Sequence, residues 1–151
     1  MKRQNPKSGD VFVIPLGDDA EALGQVVSIE PDAMNSFGCI FWPFRDTEVL
    51  RQIGTKPVAG LLVTPDQLKS GRWPIIANES VRLSQLQLPY EKFRPTAWVG
   101  AKIIGSRIIV EFMRAWRGLW YWDEWVDPQY LDGLLLPGTS VPSSARFKNG
   151  S

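Results

Sequence analysis

Proline and glycine recur along this sequence and limit how long any regular element can be. The 151 residues include 12 prolines and 13 glycines, more than a helical bundle tolerates, because proline breaks a helix interior and glycine weakens it. The same residues are typical of tight turns between short elements. The sequence therefore predicts an α+β, mainly β fold: a bent antiparallel sheet or partly open barrel of short strands, with one or two short helices.

Strand patterns alternate with turn residues through the first half of the chain. Apolar runs at 10–16 and 23–29 flank the polar stretch 17–21 and predict a hairpin. The segment 58–64 is apolar at both alternating positions, which is typical of a strand covered on both faces. We also expect strands at 38–44 and 73–77 and short helices at 46–53 and 64–71, whereas 79–88 fits either a helix or a strand.

A second hairpin is predicted farther along the chain. Two apolar runs, 98–104 and 107–113, flank Gly105–Ser106, and glycine followed by a small polar residue suits a two-residue type II′ turn. Arg117–Gly118 is a further turn signal, after which 119–123 would pair back as a strand. The pattern is that of a meander of short strands.

The organisation of the chain is simple. No repeat, low-complexity tract or linker divides it, so we expect a single domain over 1–151, with flexible tails at 1–7 and 145–151. The lone cysteine, Cys39, excludes an internal disulfide. The start has no apolar stretch typical of a signal peptide, and no apolar run approaches the ~18 residues of a membrane helix. These features predict a cytoplasmic protein that does not enter a membrane.

The sequence contains no histidine, which removes many catalytic and metal-binding arrangements. The chain lacks the commonest general base and transition-metal ligand and can form no Ser-His or Cys-His pair. Asp123 and Glu124 are the one plausible acidic pair, but adjacent residues on a strand point to opposite faces and would not converge. We therefore expect a protein that is not an enzyme and that binds no cofactor or metal.

Acidic residues are concentrated in two segments that flank a basic middle. Residues 8–44 carry six carboxylates and 118–144 carry four, and neither segment has a lysine or an arginine. If the two segments meet in space, they form a negative face suited to a basic partner. Otherwise these carboxylates are only the solvent-exposed side chains of surface loops.

The stretch 118–125, GLWYWDEW, combines four aromatic residues with two carboxylates. On a strand, both faces of this stretch would carry aromatic side chains, so one face would pack inward and the other would remain for a partner. Tryptophan and tyrosine are enriched in protein interfaces, and neighbouring carboxylates orient a partner. We expect the partner-binding residues to be Trp120, Trp122, Asp123, Glu124, Trp125 and Asp127, with Asp18 and Asp19 as a second patch.

An alternative function is that of a β-barrel module that binds single-stranded nucleic acid or a glycan. Basic residues interleaved with aromatic ones are typical of single-strand-binding barrels, and tryptophans form stacking platforms. The net charge of +1 makes direct nucleic-acid binding the weaker interpretation, because that affinity comes mainly from phosphate neutralisation. The residues that would form such a face are Lys102, Arg107, Arg114, Arg117, Trp98, Trp116 and Trp120.

The block 7–16, KSGDVFVIPL, followed by LGQVV at 23–27, resembles the opening of the immunity protein 26 family. In that family the first hairpin has the pattern Gly-Asp-hydrophobic-Phe-small-Ile-Pro-Leu, a polar turn and then Gly-Arg-Val. This chain differs at Gln25, where the family usually has arginine. The motif is structural, with Phe12 and Ile14 facing the core, so it assigns no functional residue.

The resemblance implies an antitoxin of a bacterial polymorphic or contact-dependent inhibition toxin system. Such a protein acts in the cytoplasm, without a cofactor, by binding a cognate toxin domain and blocking its active site or the access of its substrate. If the toxin is a nuclease, carboxylates of this chain would take the place of phosphates at a basic active site. The resemblance therefore agrees with the absence of catalytic residues in the sequence.

Overall fold

The computed structural model describes residues 2–83 and 87–149. Six strands form the sheet: β1 Asp10–Gly17, β2 Ala20–Glu30, β3 Ser36–Trp42, β4 Ala59–Val63, β5 Ile75–Asn78 and β6 Ile103–Ile104. Their order is β5-β1-β2-β3-β4-β6. Neighbouring strands are antiparallel, except that β6 runs parallel to β4. The sheet is open, because β5 and β6 are its two edges.

Helices occupy the connections between strands and the chain that follows β6. The α-helices are α1 Val49–Ile53, α2 Asp66–Ser70 and α3 Ser106–Trp116, and 3₁₀ helices span Pro89–Thr96 and Leu131–Leu134. The open sheet with these short helices confirms the predicted α+β, mainly β fold class. The short helices expected at 46–53 and 64–71 are present as α1 and α2.

The predicted hairpin at 10–29 is present as β1 and β2. Its tip consists of Asp18 and Asp19, whose φ angles are 54° and 58°, between the paired residues Gly17 and Ala20. Positive φ at both central residues defines a type I′ turn, whose twist matches that of the flanking strands. Aspartate enters this left-handed region more readily than most residues, so the turn holds two adjacent carboxylates at the end of the hairpin.

Apolar side chains cover both faces of the sheet. Alternate residues of β1 belong to different clusters, with Phe12 and Ile14 on one face and Val11 and Val13 on the other, because strand side chains alternate with a period of two. β4 also contributes to both clusters, as its pattern predicts. On the first face α3 covers the sheet with the fully buried side chains of Ile109, Phe112, Met113 and Ala115.

The hairpin predicted over 98–113 is wrong. The second half of this segment is α3, and Gly105 precedes it with a φ of −65° instead of the positive φ of a type II′ turn. The β-branched run Ile108–Val110 favours a strand locally, but packing against the sheet selects the helical period. The large side chains that α3 buries most deeply, Ile109, Phe112 and Met113, have helical spacings of three and four, and Trp116 continues this row.

The strand predicted at 119–123 is also wrong. Only Tyr121 forms a bridge there, parallel to Arg146 near the end of the chain. With α3 in place of a strand, this segment has no adjacent strand to pair with and follows an irregular path. At 79–88, residues 79–83 adopt no helix or strand, and 84–86 lie outside the described residues.

Candidate partner-binding site

Arg114 joins the β1–β2 turn to the start of the aromatic stretch. Its Nη1 donates to Leu16 O at 2.5 Å and to Asp18 Oδ2 at 3.0 Å, and its Nη2 donates to Leu119 O at 3.5 Å. The Arg114 side chain is only 25% exposed, whereas that of Asp18 is 65% exposed. The hydrogen bonds to carbonyls therefore fix the turn in place, while the carboxylates of Asp18 and Asp19 remain open to solvent.

Arg117, one helical turn later, organises the neighbouring surface. Its Nη1 donates to Glu21 O at 2.9 Å, and its guanidinium lies 4.5 Å from the centre of the Phe44 ring. Such cation–π contacts stabilise an exposed aromatic ring by roughly 0.5–1 kcal/mol. Phe44 is 49% exposed and Trp120 is 43% exposed. We use the name turn surface for four exposed side chains that these two arginines contact or that adjoin the residues they contact: Asp18, Asp19, Phe44 and Trp120.

Trp122 is a core residue and not part of this surface. It is fully buried, lies 5.7 Å from the Phe112 ring and 6.3 Å from Trp116, and its Nε1 donates to Asp132 Oδ1 at 2.7 Å. A buried indole with a satisfied N–H cannot contact a partner while the fold remains closed. The expectation that Trp122 binds a partner is corrected accordingly.

Asp123 is also buried, at 8% exposure, and its carboxylate holds the last described residues. Oδ1 accepts the backbone N–H of Lys148 at 2.7 Å, and Oδ2 accepts that of Asn149 at 3.0 Å. The bond from Lys148 is the main reason that the pKa of Asp123 lies below the usual value. The carboxylate is therefore used within the chain, and its expected role in partner binding is corrected too.

The remaining acidic residues of the stretch stay at the surface. Glu124 is exposed and lies 3.3 Å from Lys148 Nζ, and exposed Asp127 accepts the backbone N–H of Gln129 at 2.9 Å. Trp125 is half-buried and packs against Tyr130 in a tilted arrangement, with ring centres 4.9 Å apart. Among the predicted site residues, Asp18, Asp19, Trp120, Glu124 and Asp127 are thus exposed.

The two acidic segments do not form a continuous negative face, because basic residues pair with many of their carboxylates. Three such ion pairs are Asp18–Arg114, Glu21–Arg45 and Glu30–Arg94, at 3.0, 3.1 and 2.6 Å. Within the described ranges, the exposed carboxylates of these segments that have no ion-pair partner are Asp19, Asp32, Asp127 and Asp132. Unpaired negative charge therefore lies at separate places, among them the hairpin tip and the loop around Asp127.

Sequence reasoning missed the organising roles of Arg114 and Arg117. Arg114 lies in the last turn of α3 and Arg117 directly follows its last residue, so only a helical interpretation of 106–116 could have found that signal. Both guanidinium groups donate to backbone carbonyls of the chain, which leaves fewer of their donors for phosphates. This observation weakens the nucleic-acid alternative, because Arg114 and Arg117 are two of its four basic residues.

Two aromatic rings and two carboxylates lie on the turn surface. The thiol of Cys39 is buried, and because burial raises its pKa, it stays protonated. Within residues 2–83 and 87–149, no three potential metal ligands converge. In the same ranges, none of the helices has the length and apolar character needed to cross a bilayer.

The family model named Immunity protein 26 matches residues 7–98, more than half of the chain. The chain belongs to this family. The match begins at the block KSGDVFVIPL and confirms the resemblance inferred from it. No curated protein and no solved structure shows a significant match to the chain.

Membership of the immunity protein 26 family implies an antitoxin role and a toxin protein as the partner. The matched residues include β1 to β5 and the β1–β2 turn with Asp18 and Asp19. They do not include α3 or the aromatic stretch 118–125. The turn surface thus combines residues from inside and outside the matched region.

Proposed function

We propose that this protein is an immunity protein that neutralises a cognate toxin domain by covering its active site or the path of its substrate. The observation that carries the proposal is the turn surface of an immunity-family chain. There, two half-exposed aromatic rings and the two carboxylates of the hairpin tip lie on or next to segments that Arg114 and Arg117 contact, and Arg114 of α3 pairs directly with Asp18. Aromatic anchors in a rigid frame are typical of the residues that dominate protein–protein binding energy.

The mechanism is steric and electrostatic. Trp120 and Phe44 supply apolar area with little loss of side-chain entropy, because each has only two rotatable bonds and a packed neighbour. Asp18 and Asp19 at the hairpin tip attract basic groups of the toxin and speed association. If the toxin is a nuclease, these carboxylates occupy the positions of substrate phosphates, and the inhibitor acts in the bacterial cytoplasm without a cofactor.

Co-expression with a candidate toxin domain, taken from the genes that adjoin the gene of this protein, tests the proposal. The wild-type protein should rescue growth and co-purify with the toxin. Trp120→Ala should weaken binding about 30-fold, because a central interface tryptophan commonly contributes about 2 kcal/mol. Isothermal titration calorimetry measures both affinities. Absence of rescue and of co-purification by the wild-type protein would refute the antitoxin function.

The carboxylates are tested with a variant that preserves the turn. Asp18→Asn combined with Asp19→Asn keeps residues that tolerate positive φ and should weaken binding about 10-fold while reducing its salt dependence. Asp32→Asn is the matched control, because Asp32 is exposed in the β2–β3 connection, at the opposite end of β2. Equal affinities for the double variant and the control would remove the hairpin tip from the interface.

A further inference from the structure

A groove lies at the outer edge of β4, where the pairing of the sheet is incomplete. β6 pairs with Leu62 and Val63 only. At the other end of β4, the N–H of Leu136 donates to Val58 O at 2.9 Å. Gly60 lies between these two contacts. The edge of β4 is therefore covered before and after Gly60 but not at Gly60 itself.

The backbone groups of Gly60 point to this open edge. The N–H of Thr64 donates to Ile104 O at 3.0 Å, and Leu62 pairs with Ile103, so the even-numbered residues of β4 present their backbone groups to this side. Backbone groups alternate in direction along a strand, so the N–H and C=O of Gly60 point to the same side as those of Leu62. Among the described residues, none pairs with Gly60 on this edge.

The groove is small and mostly apolar. Its volume is about 260 Å³, below the roughly 300–1,000 Å³ of small-molecule pockets, so it suits one or two side chains of a peptide. A Cβ atom at Gly60 would lie 2.5 Å from Leu88 Cδ2, whereas one at Gly133 would meet open space. Its walls include Leu62, Phe93, Gly100, Ile104, Gly133 and Leu134.

Two lysines give the groove a positive rim. Lys92 and Lys102 both line it and both are exposed. Neither ammonium has an ion-pair partner in the part of the chain that the structure describes, although Lys92 Nζ lies 5.1 Å from the centre of the Phe93 ring. An apolar groove between two unpaired cations is complementary to an apolar side chain flanked by carboxylates.

We propose that this edge groove binds an extended segment of the toxin polypeptide in which an apolar residue lies between acidic residues. The apolar side chain fills the groove, and its backbone N–H and C=O pair with Gly60, as in the addition of a strand to a sheet edge. The flanking carboxylates bind Lys92 and Lys102. This inference rests on the proposed antitoxin function, because the occupant is part of the toxin.

A substitution that fills the groove, which we call the plug variant, tests the proposal directly. Gly133→Trp fills open space at the groove wall and should weaken toxin binding at least 10-fold, as measured by calorimetry with the purified toxin domain. Gly133→Ala is the matched control, because its single methyl group leaves most of the groove open and should bind like the wild type. Thermal unfolding of each variant establishes that the fold is retained.

A charge variant keeps the test decisive if the plug variant does not fold. Lys92→Glu with Lys102→Glu should weaken binding about 10-fold, whereas Lys56→Glu with Lys69→Glu, an equal change at exposed lysines outside the groove, should not. Wild-type affinity in both groove variants would overturn the proposal. If Trp120→Ala weakens binding in the same experiment, the antitoxin function stands without the groove.

Two other results would also overturn the edge groove as a toxin site. If the wild-type protein does not bind the toxin domain at all, the proposed function fails together with the groove. If the protein alone forms concentration-dependent oligomers in sedimentation experiments, and Gly133→Trp abolishes them, the occupant is a second copy of this chain and not the toxin.

Discussion

At the scale of single residues, neighbouring tryptophans in one aromatic stretch have opposite environments. Trp120 is 43% exposed, and Trp122 is fully buried against α3. The sequence does not distinguish the two residues, because both are tryptophans in the same short stretch of aromatic and acidic residues. The difference arises from which ring faces Phe112 and Trp116. Trp122 is part of the core, whereas Trp120 is exposed and is a proposed toxin contact.

Gly24 provides a stability prediction at this scale. A Cβ atom on Gly24 would lie 2.4 Å from Cζ of the buried Phe12 ring, which itself stacks on Trp73 with ring centres 5.6 Å apart. Gly24→Ala should therefore lower the free energy of unfolding by about 1–3 kcal/mol through overpacking. Chemical denaturation measures the change. Gly133→Ala, with open space around its Cβ, should change stability by less than about 0.5 kcal/mol.

At the scale of elements, the last described residues form a strap along the aromatic stretch. The N–H of Trp122 donates to Arg146 O at 2.8 Å, the Arg146 guanidinium lies 4.9 Å from the Tyr121 ring centre, and Asp123 binds the backbone of Lys148 and Asn149. These contacts are made by the segment that the sequence predicts to be a flexible tail. The strap encloses Asp123 and supports the segment that carries Trp120.

The strap should be released in acid. The pKa of Asp123 is lowered in the folded chain, from an ordinary value of 3.8, so its stabilising contribution is complete above about pH 4 and is lost as the pH falls through the folded-state pKa. The protection factors of the Lys148 and Asn149 amides, measured by hydrogen exchange relative to the intrinsic rate at each pH, should fall over that range. Asp123→Asn should exchange rapidly at these amides already at pH 7. Unchanged protection in this variant would contradict the role of the carboxylate.

At the scale of the whole molecule, the family-matched region does not contain all of the core. Residues 7–98 supply five strands, but one face of their sheet is covered by α3 and by Trp122 and Leu131 from beyond that region. These later residues are fully buried. The structure of the first 98 residues therefore depends on the chain that follows.

Truncation tests this dependence. A fragment of residues 1–98 should lack a cooperative thermal transition and should bind a hydrophobic dye, because the sheet face that contains Phe12 and Phe41 would lose its cover. The complete chain under identical conditions is the control. A cooperative transition in the fragment at the temperature of the complete chain would show that α3 contributes little to stability.

The sequence by itself determined the features that depend on local pattern. Alternation and turn residues predicted the β1–β2 hairpin and its acidic tip, the doubly covered β4, and the family through its opening block. Each of these follows from residues close together in the chain, where strand period and turn chemistry agree with the final structure.

The tertiary structure alone decided the features that depend on distant segments. The run 106–116 has strand-forming residues, but contact with the sheet makes it a helix. That helix then buries Trp122, places Arg114 beside Asp18 and leaves Trp120 exposed. Likewise, the open edge at Gly60 exists only because β6 ends after two residues. Packing between remote elements outweighs local preference at these positions, because each buried side chain contributes more free energy than a secondary-structure propensity.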